Sequence, residues 1–94
     1  MQKIVYKKKI LAIIINEKKY TRKKGIKFVT PNFFTLQLGF MNHAKNHFIK
    51  PHTHRNFIRK INKTAEVLFI KNGVLRIDFY ASKTKYLYSK ILKK

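Results

Sequence analysis

The sequence contains no cysteine and no tryptophan, and it has only three glycines, two prolines and three acidic residues among 94 positions. Without cysteine the chain has no disulfide framework and no thiolate ligands for a metal. Such a composition fits a reducing compartment. The chain also lacks internal repeats and low-complexity linkers, and its length allows one domain with one modest core. We therefore predict a single domain over residues 1–94.

Long apolar runs are also missing. The run Ile10–Ile15 follows three lysines, spans six residues and ends at Asn16 and Glu17. It is shorter than the apolar region of a signal peptide, and no small-residue cleavage site follows it. It is far below the ~18 apolar residues that indicate a membrane span. The sequence therefore predicts a soluble, cytoplasmic protein without a membrane segment.

Basic residues, by contrast, are abundant. Lysine and arginine number 23, and the net charge at pH 7 is +20. A nucleic-acid partner would explain this excess, because lysine and arginine release condensed counterions from phosphates. Compositional drift toward AT-rich codons would explain the many lysines, but it does not easily explain the scarcity of acids. The sequence leaves both explanations open.

Hydrophobic patterning predicts strands and no helix. Ile10–Ile15 is a β-branched run suited to a buried strand. It belongs to a basic N-terminal strand and turn region, which we place over residues 1–27. Further along, the segment 34–40 alternates with a period of two and predicts a half-buried strand, with Phe34, Leu36, Leu38 and Phe40 on one face.

The strongest local signal is the dipeptide Asn72-Gly73. It lies between the apolar runs Glu66–Lys71 and Val74–Tyr80, and Asn-Gly in this context favours a two-residue hairpin. In the second run, Leu75, Ile77 and Phe79 share one face, whereas Arg76 and Asp78 share the other. We further expect a loop over residues 55–64, a turn over 81–85 and a last strand over 86–92. The sequence thus predicts an all-β protein, an antiparallel meander forming a sheet, sandwich or barrel.

Three residues of this region form a candidate metal site. His52 and His54 are two apart, so on a strand both imidazoles point the same way. Glu66, from a second strand, would add a carboxylate. Two imidazoles and one carboxylate with open positions suit Fe, Mn, Ni or Zn. Open positions would let a substrate bind the metal and be polarised by it.

A different interpretation of the same residues is also open. The histidines would then lie on a solvated strand face. Glu66 would face solvent or pair with Arg59 or Arg76. Burial of the Glu66 carboxylate in an apolar strand would speak against this interpretation, because an unpaired buried charge lowers stability by several kcal/mol unless a metal binds it.

The spacing His52-x-His54, then Glu66, then six residues and Gly73 resembles the first motif of the cupin superfamily. Phe48–Pro51 leads into the histidines as an apolar strand does in cupins, and the match covers about residues 34–92. The resemblance implies a partial cupin-like barrel or sandwich over residues 28–94. It also implies metal-ligand roles for the three residues and, if the protein is active, a small-molecule or sugar-related substrate.

The sequence departs from the cupin pattern in two places. The gap Arg55–Ala65 is longer than usual, and the second motif, with its further histidine, is missing. The chain therefore resembles the N-terminal half of a cupin barrel, whose exposed edges a homodimer or a second chain would cover. Instead of such an association, the chain could form a smaller sandwich on its own, or it could be a degenerate gene product of low stability. His43 and His47 would either replace the missing ligand or be exposed polar residues.

A second function is compatible with the sequence. Aromatic residues are interleaved with lysines along the chain, and aromatics on a basic sheet stack on the bases of single strands. The alternative is that most of these rings form the core. No recognised RNA-binding motif is present. A basic nucleic-acid-binding β-sheet protein is thus the alternative to a metal-binding domain, and charge alone would also give non-specific binding.

Overall fold

The structure is a computed structural model that describes all 94 residues. Its six strands are β1 (Gln2–Tyr6), β2 (Lys9–Ile14), β3 (Gly25–Phe28), β4 (Gly39–Asn42), β5 (Val74–Tyr80) and β6 (Tyr86–Lys93), with one 3-10 turn at Glu17–Lys19. No helix in it is long and apolar enough to cross a membrane. The strands form three separate two-stranded antiparallel sheets, β1–β2, β3–β4 and β5–β6. The all-β class is confirmed, whereas a cupin-like barrel is not.

The chain divides into two compact units. The first contains Met1–Gln2 and Ile14–Ile61, and the second contains Lys3–Ile13 and Asn62–Lys94. The sheet β3–β4 belongs to the first unit and the sheet β5–β6 to the second. The single domain over residues 1–94 stays a prediction.

The hairpin β1–β2 turns through two lysines. Lys7 and Lys8 both have positive φ, 46° and 64°, as a type I′ turn requires. Asparagine and glycine are the usual residues there, so composition gives no hint of this turn. The strand predicted over Ile10–Ile15 is confirmed by β2, within one residue at each end, but its burial is wrong, because every residue of β2 is exposed or half-buried.

The hairpin β3–β4 is closed by a loop that Gln37 organises. The Gln37 amide donates to the carbonyl oxygens of Pro31 and Phe34, each at 2.9 Å, and its oxygen accepts from the Thr30 hydroxyl at 2.7 Å. Side-chain bonds of this kind compete with strand ladders. The strand predicted over 34–40 is therefore wrong except at its end, because β4 begins only at Gly39.

The hairpin β5–β6 is the longest ladder in the protein. Its register pairs Val74 with Lys93 and Phe79 with Tyr88, and it shifts between Phe79 and Tyr80. The turn predicted over 81–85 and the last strand are confirmed. The strand predicted over Glu66–Lys71 is wrong, because β5 pairs with β6 instead. Gly73 does take positive φ, 84°, but Asn72 does not, so no type I′ turn forms there.

Burial is confined to few side chains. Only Ile4 and Val29 are buried, at 0% and 4% exposure. Large apolar side chains such as Phe48, Ile58 and Phe69 therefore remain in water.

Candidate nucleic-acid interface and metal ligands

Nearly all the charged side chains of this protein are unpaired. Of the 23 lysines and arginines, only Arg76 forms an ion pair, in which its Nε lies 2.9 Å from Oδ1 of Asp78. The other two acids, Glu17 and Glu66, form no ion pair. The surface therefore carries a positive potential that concentrates anions and repels cations.

A polar network covers one face of the hairpin β5–β6. Asp78 accepts hydrogen bonds from Arg76 and from the Ser89 hydroxyl. Arg76 Nη2 also donates to Ser89 Oγ at 3.3 Å, and Tyr86 Oη lies 2.7 Å from the same oxygen. The Ser89 hydroxyl first, and the Arg76 guanidinium second, hold the pKa of Asp78 below its ordinary value. The network fixes a carboxylate in its charged form and orients the Tyr86 ring.

Two tyrosine rings lie beside this network. Tyr80 and Tyr86 are register partners on β5 and β6, and their rings meet edge to face with centroids 5.6 Å apart. Each is 50% exposed. We call these two residues the tyrosine pair. Half-exposed rings on a protein of strong positive charge offer faces on which a nucleic-acid base can stack.

Cations lie against aromatic rings elsewhere in both units. Arg59 lies 4.6 Å from the centroid of Phe57, and Phe57 is 69% exposed. Two lysine–tyrosine contacts of the same kind join Lys23 to Tyr20 and Lys90 to Tyr88. Cation–π contact and the apolar lysine stem together hold the ammonium group near the ring. Positive charge and aromatic surface therefore occur side by side in both units.

The sequence-predicted histidine ligands are neighbours in space. His52 and His54 have ring centroids 5.6 Å apart at an interplanar angle of 76°. His52 Nδ1 donates to the Lys50 carbonyl oxygen at 3.0 Å, so in the neutral ring Nε2 keeps its lone pair. Metal-ligating histidines commonly have this second hydrogen bond. Both residues lie in an irregular exposed segment, not on the strand that the sequence predicts.

The third predicted ligand, Glu66, belongs to the second unit, whereas both histidines belong to the first. It is exposed and lies outside any strand. Neither unit by itself holds three His, Cys, Asp or Glu side chains placed to bind one metal ion. The metal site of His52, His54 and Glu66, with Fe, Mn, Ni or Zn as its ion, stays a prediction.

A second histidine pair forms a different arrangement. The rings of His43 and His47 stack with centroids 4.0 Å apart and planes 10° from parallel. The turn between them is closed by His47 N–H donating to the Ala44 carbonyl, and Asn46 takes φ 68°. Nitrogen lone pairs of parallel stacked rings do not converge, so this pair is not placed to chelate one ion.

Some contacts escape sequence reasoning. Lys85 Nζ donates to the Tyr6 hydroxyl at 2.7 Å although the residues are 79 positions apart. No sequence pattern near either residue predicts that contact. The Asp78–Ser89 pair, by contrast, follows from registering β5 against β6 across the turn between them. A search for polar cross-strand partners would have found it.

Comparisons with family models, curated proteins and solved structures gave no match to this chain. The cupin resemblance stays a prediction.

Proposed function

We propose that this protein binds single-stranded nucleic acid with little sequence preference. Lysines and arginines contact the phosphates, and exposed aromatic rings stack on the bases. The observation that carries the proposal is the pairing pattern: one of 23 basic side chains has an acidic partner. Two of the remaining cations, Arg59 and Lys90, lie against rings of residues that are themselves exposed.

The charge term predicts a steep salt dependence. Each phosphate neutralised on a single strand contributes about −0.7 to the slope of log K against log salt concentration. A footprint of about five to eight phosphates therefore gives a slope between about −3.5 and −5.6. Fluorescence anisotropy with a labelled oligothymidine, from about 50 to 500 mM salt, measures it.

The stacking term is tested separately at the tyrosine pair. Replacing Tyr80 and Tyr86 by leucine removes two stacking faces, each contributing about 1–3 kcal/mol per base. We expect the loss of each ring to raise the dissociation constant for oligothymidine about tenfold, while the slope of log K against log salt concentration stays unchanged. The matched control replaces both by phenylalanine, which keeps the rings and should keep the affinity.

Two results would contradict the proposal. Absence of oligothymidine binding at low salt would remove the function altogether. Equal affinity of the leucine and phenylalanine variants would limit the interaction to charge alone, without base stacking. Circular dichroism of both variants checks that the hairpin β5–β6 still forms.

A second candidate function is a cupin-like metal-binding domain. The observation that favours it is the His52 ring, whose Nδ1 is hydrogen-bonded to a carbonyl while Nε2 is free, with His54 nearby. The sequence prediction adds Glu66 as the carboxylate ligand. Metal analysis of the purified protein beside a His52→Ala/His54→Ala variant separates this candidate from the first, because oligonucleotide binding does not require those imidazoles.

A further inference from the structure

We propose that a pocket beside Tyr6 binds a phosphate group. This inference rests on the proposed function and deepens it, since it names a subsite for the phosphates of a nucleic acid. The pocket has a volume of about 230 Å³ and belongs entirely to the second unit. We call it the Tyr6 pocket, and it is lined by Tyr6, Lys7, Lys9, Leu11, Lys63 and Ala81.

Positive charge converges on this pocket. Three of its lining residues are lysines, and none is acidic. Lys7 Nζ lies 5.5 Å from the centroid of the Tyr6 ring, and Lys85 Nζ lies 5.0 Å from the same point. Both ammonium groups therefore lie near the same ring, and an anion bound in the pocket would be attracted by both.

The Tyr6 hydroxyl adds a directional donor. It accepts a hydrogen bond from Lys85 Nζ at 2.7 Å, and its own hydrogen has no acceptor in the protein. A tyrosine hydroxyl both donates and accepts. With Lys85 on its oxygen, this one is free to donate to a phosphate oxygen. Charge-assisted hydrogen bonds of this kind are about twice as strong as neutral ones.

Size and position restrict the ligand. The volume of about 230 Å³ is large enough for a phosphate or diphosphate group and lies below the roughly 300–1,000 Å³ usual for drug-sized ligands. Lys7 is held at the tip of the hairpin β1–β2 by the positive φ of the turn. Lys7 is therefore presented from an ordered turn, Lys9 from the start of β2, and Leu11 and Ala81 add apolar surface to the lining.

The test compares matched charge losses. Isothermal titration calorimetry with tripolyphosphate and, separately, with oligothymidine is applied to wild type, Lys7→Gln/Lys85→Gln and the control Lys18→Gln/Lys19→Gln. The control removes the same charge from the first unit. We expect the pocket variant to bind both ligands about tenfold or more weakly, the scale of a lost hydrogen bond to a charged group, and the control to change less than about twofold.

Further variants and ligands separate the outcomes. Lys7→Arg/Lys85→Arg keeps the charge and should keep binding, which distinguishes a site from a folding defect. Equal losses in the pocket variant and the control would overturn the proposal while leaving nucleic-acid binding intact. If the pocket variant loses affinity for tripolyphosphate but keeps its affinity for oligothymidine, the ligand of the Tyr6 pocket is free polyphosphate. If wild type binds tripolyphosphate at this pocket but no oligothymidine, the pocket stands and the proposed function fails.

Discussion

Ile4 is the only fully buried side chain of this protein, and its truncation should be far more destabilising than that of an exposed isoleucine. Ile4→Ala removes three carbon atoms from a site with 0% exposure. At ~0.8 kcal/mol for each buried methylene, the transfer contribution is about 2.4 kcal/mol. A residual cavity would add to this to the extent that the surrounding side chains do not relax. We therefore expect a loss of about 2–3 kcal/mol in the free energy of unfolding.

The matched control is Ile58→Ala. Ile58 has the same side chain at 95% exposure, outside any strand, so its truncation should change stability by less than about 0.5 kcal/mol. Urea unfolding followed by circular dichroism gives both values, and amide hydrogen exchange in β1 and β2 localises the effect. Equal stabilities of the two variants would refute the assignment of Ile4 to the core.

Three further perturbations have defined outcomes. Because hydrogen bonds to its carboxylate lower the pKa of Asp78, that stabilisation is complete at neutral pH and is lost as the pH falls below about 4. Thermal unfolding between about pH 2 and 6 should therefore show a shallower acid-side decline in Asp78→Asn than in the control Glu66→Gln, and identical profiles would argue against the network. If the second candidate function holds, wild type should bind about one equivalent of a divalent ion in metal analysis, whereas the variant His52→Ala/His54→Ala should bind none; equal contents would rule out the predicted site. Gly73→Ala should lower stability by about 1–2 kcal/mol because φ is +84° there, and an unchanged urea midpoint would contradict that backbone conformation.

Strand periodicity predicted much of the fold. Two local patterns were sufficient: β2 has a β-branched run, and β5 alternates between two faces. Both patterns are typical of strands. The turn 81–85 follows from its polar composition. These elements depend on neighbours close in sequence, which is why patterning alone is sufficient for them.

The failures have identifiable causes. The segment 34–40 alternates as a strand should, but the Gln37 amide bonds the carbonyls of Pro31 and Phe34 within the loop, and pairing with β3 reaches only the end of the segment. The Asn72-Gly73 signal is strong, but β6 offers β5 a longer ladder than Glu66–Lys71 would. Local propensity cannot decide whether β5 pairs with β6 or with Glu66–Lys71. For the candidate sites, the proximity of His52 and His54 was predictable from spacing, whereas the Tyr6–Lys85 contact was not.

The small number of buried side chains has a consequence for regulation. A chain with two buried residues gains little free energy from excluding water, and its self-repelling charge opposes compaction. A polyanion that binds only the ordered form would stabilise it by about 2.7 kcal/mol at a hundred times its dissociation constant. The ordered population, and with it resistance to proteolysis, would then rise and fall with the supply of anionic polymer in its surroundings.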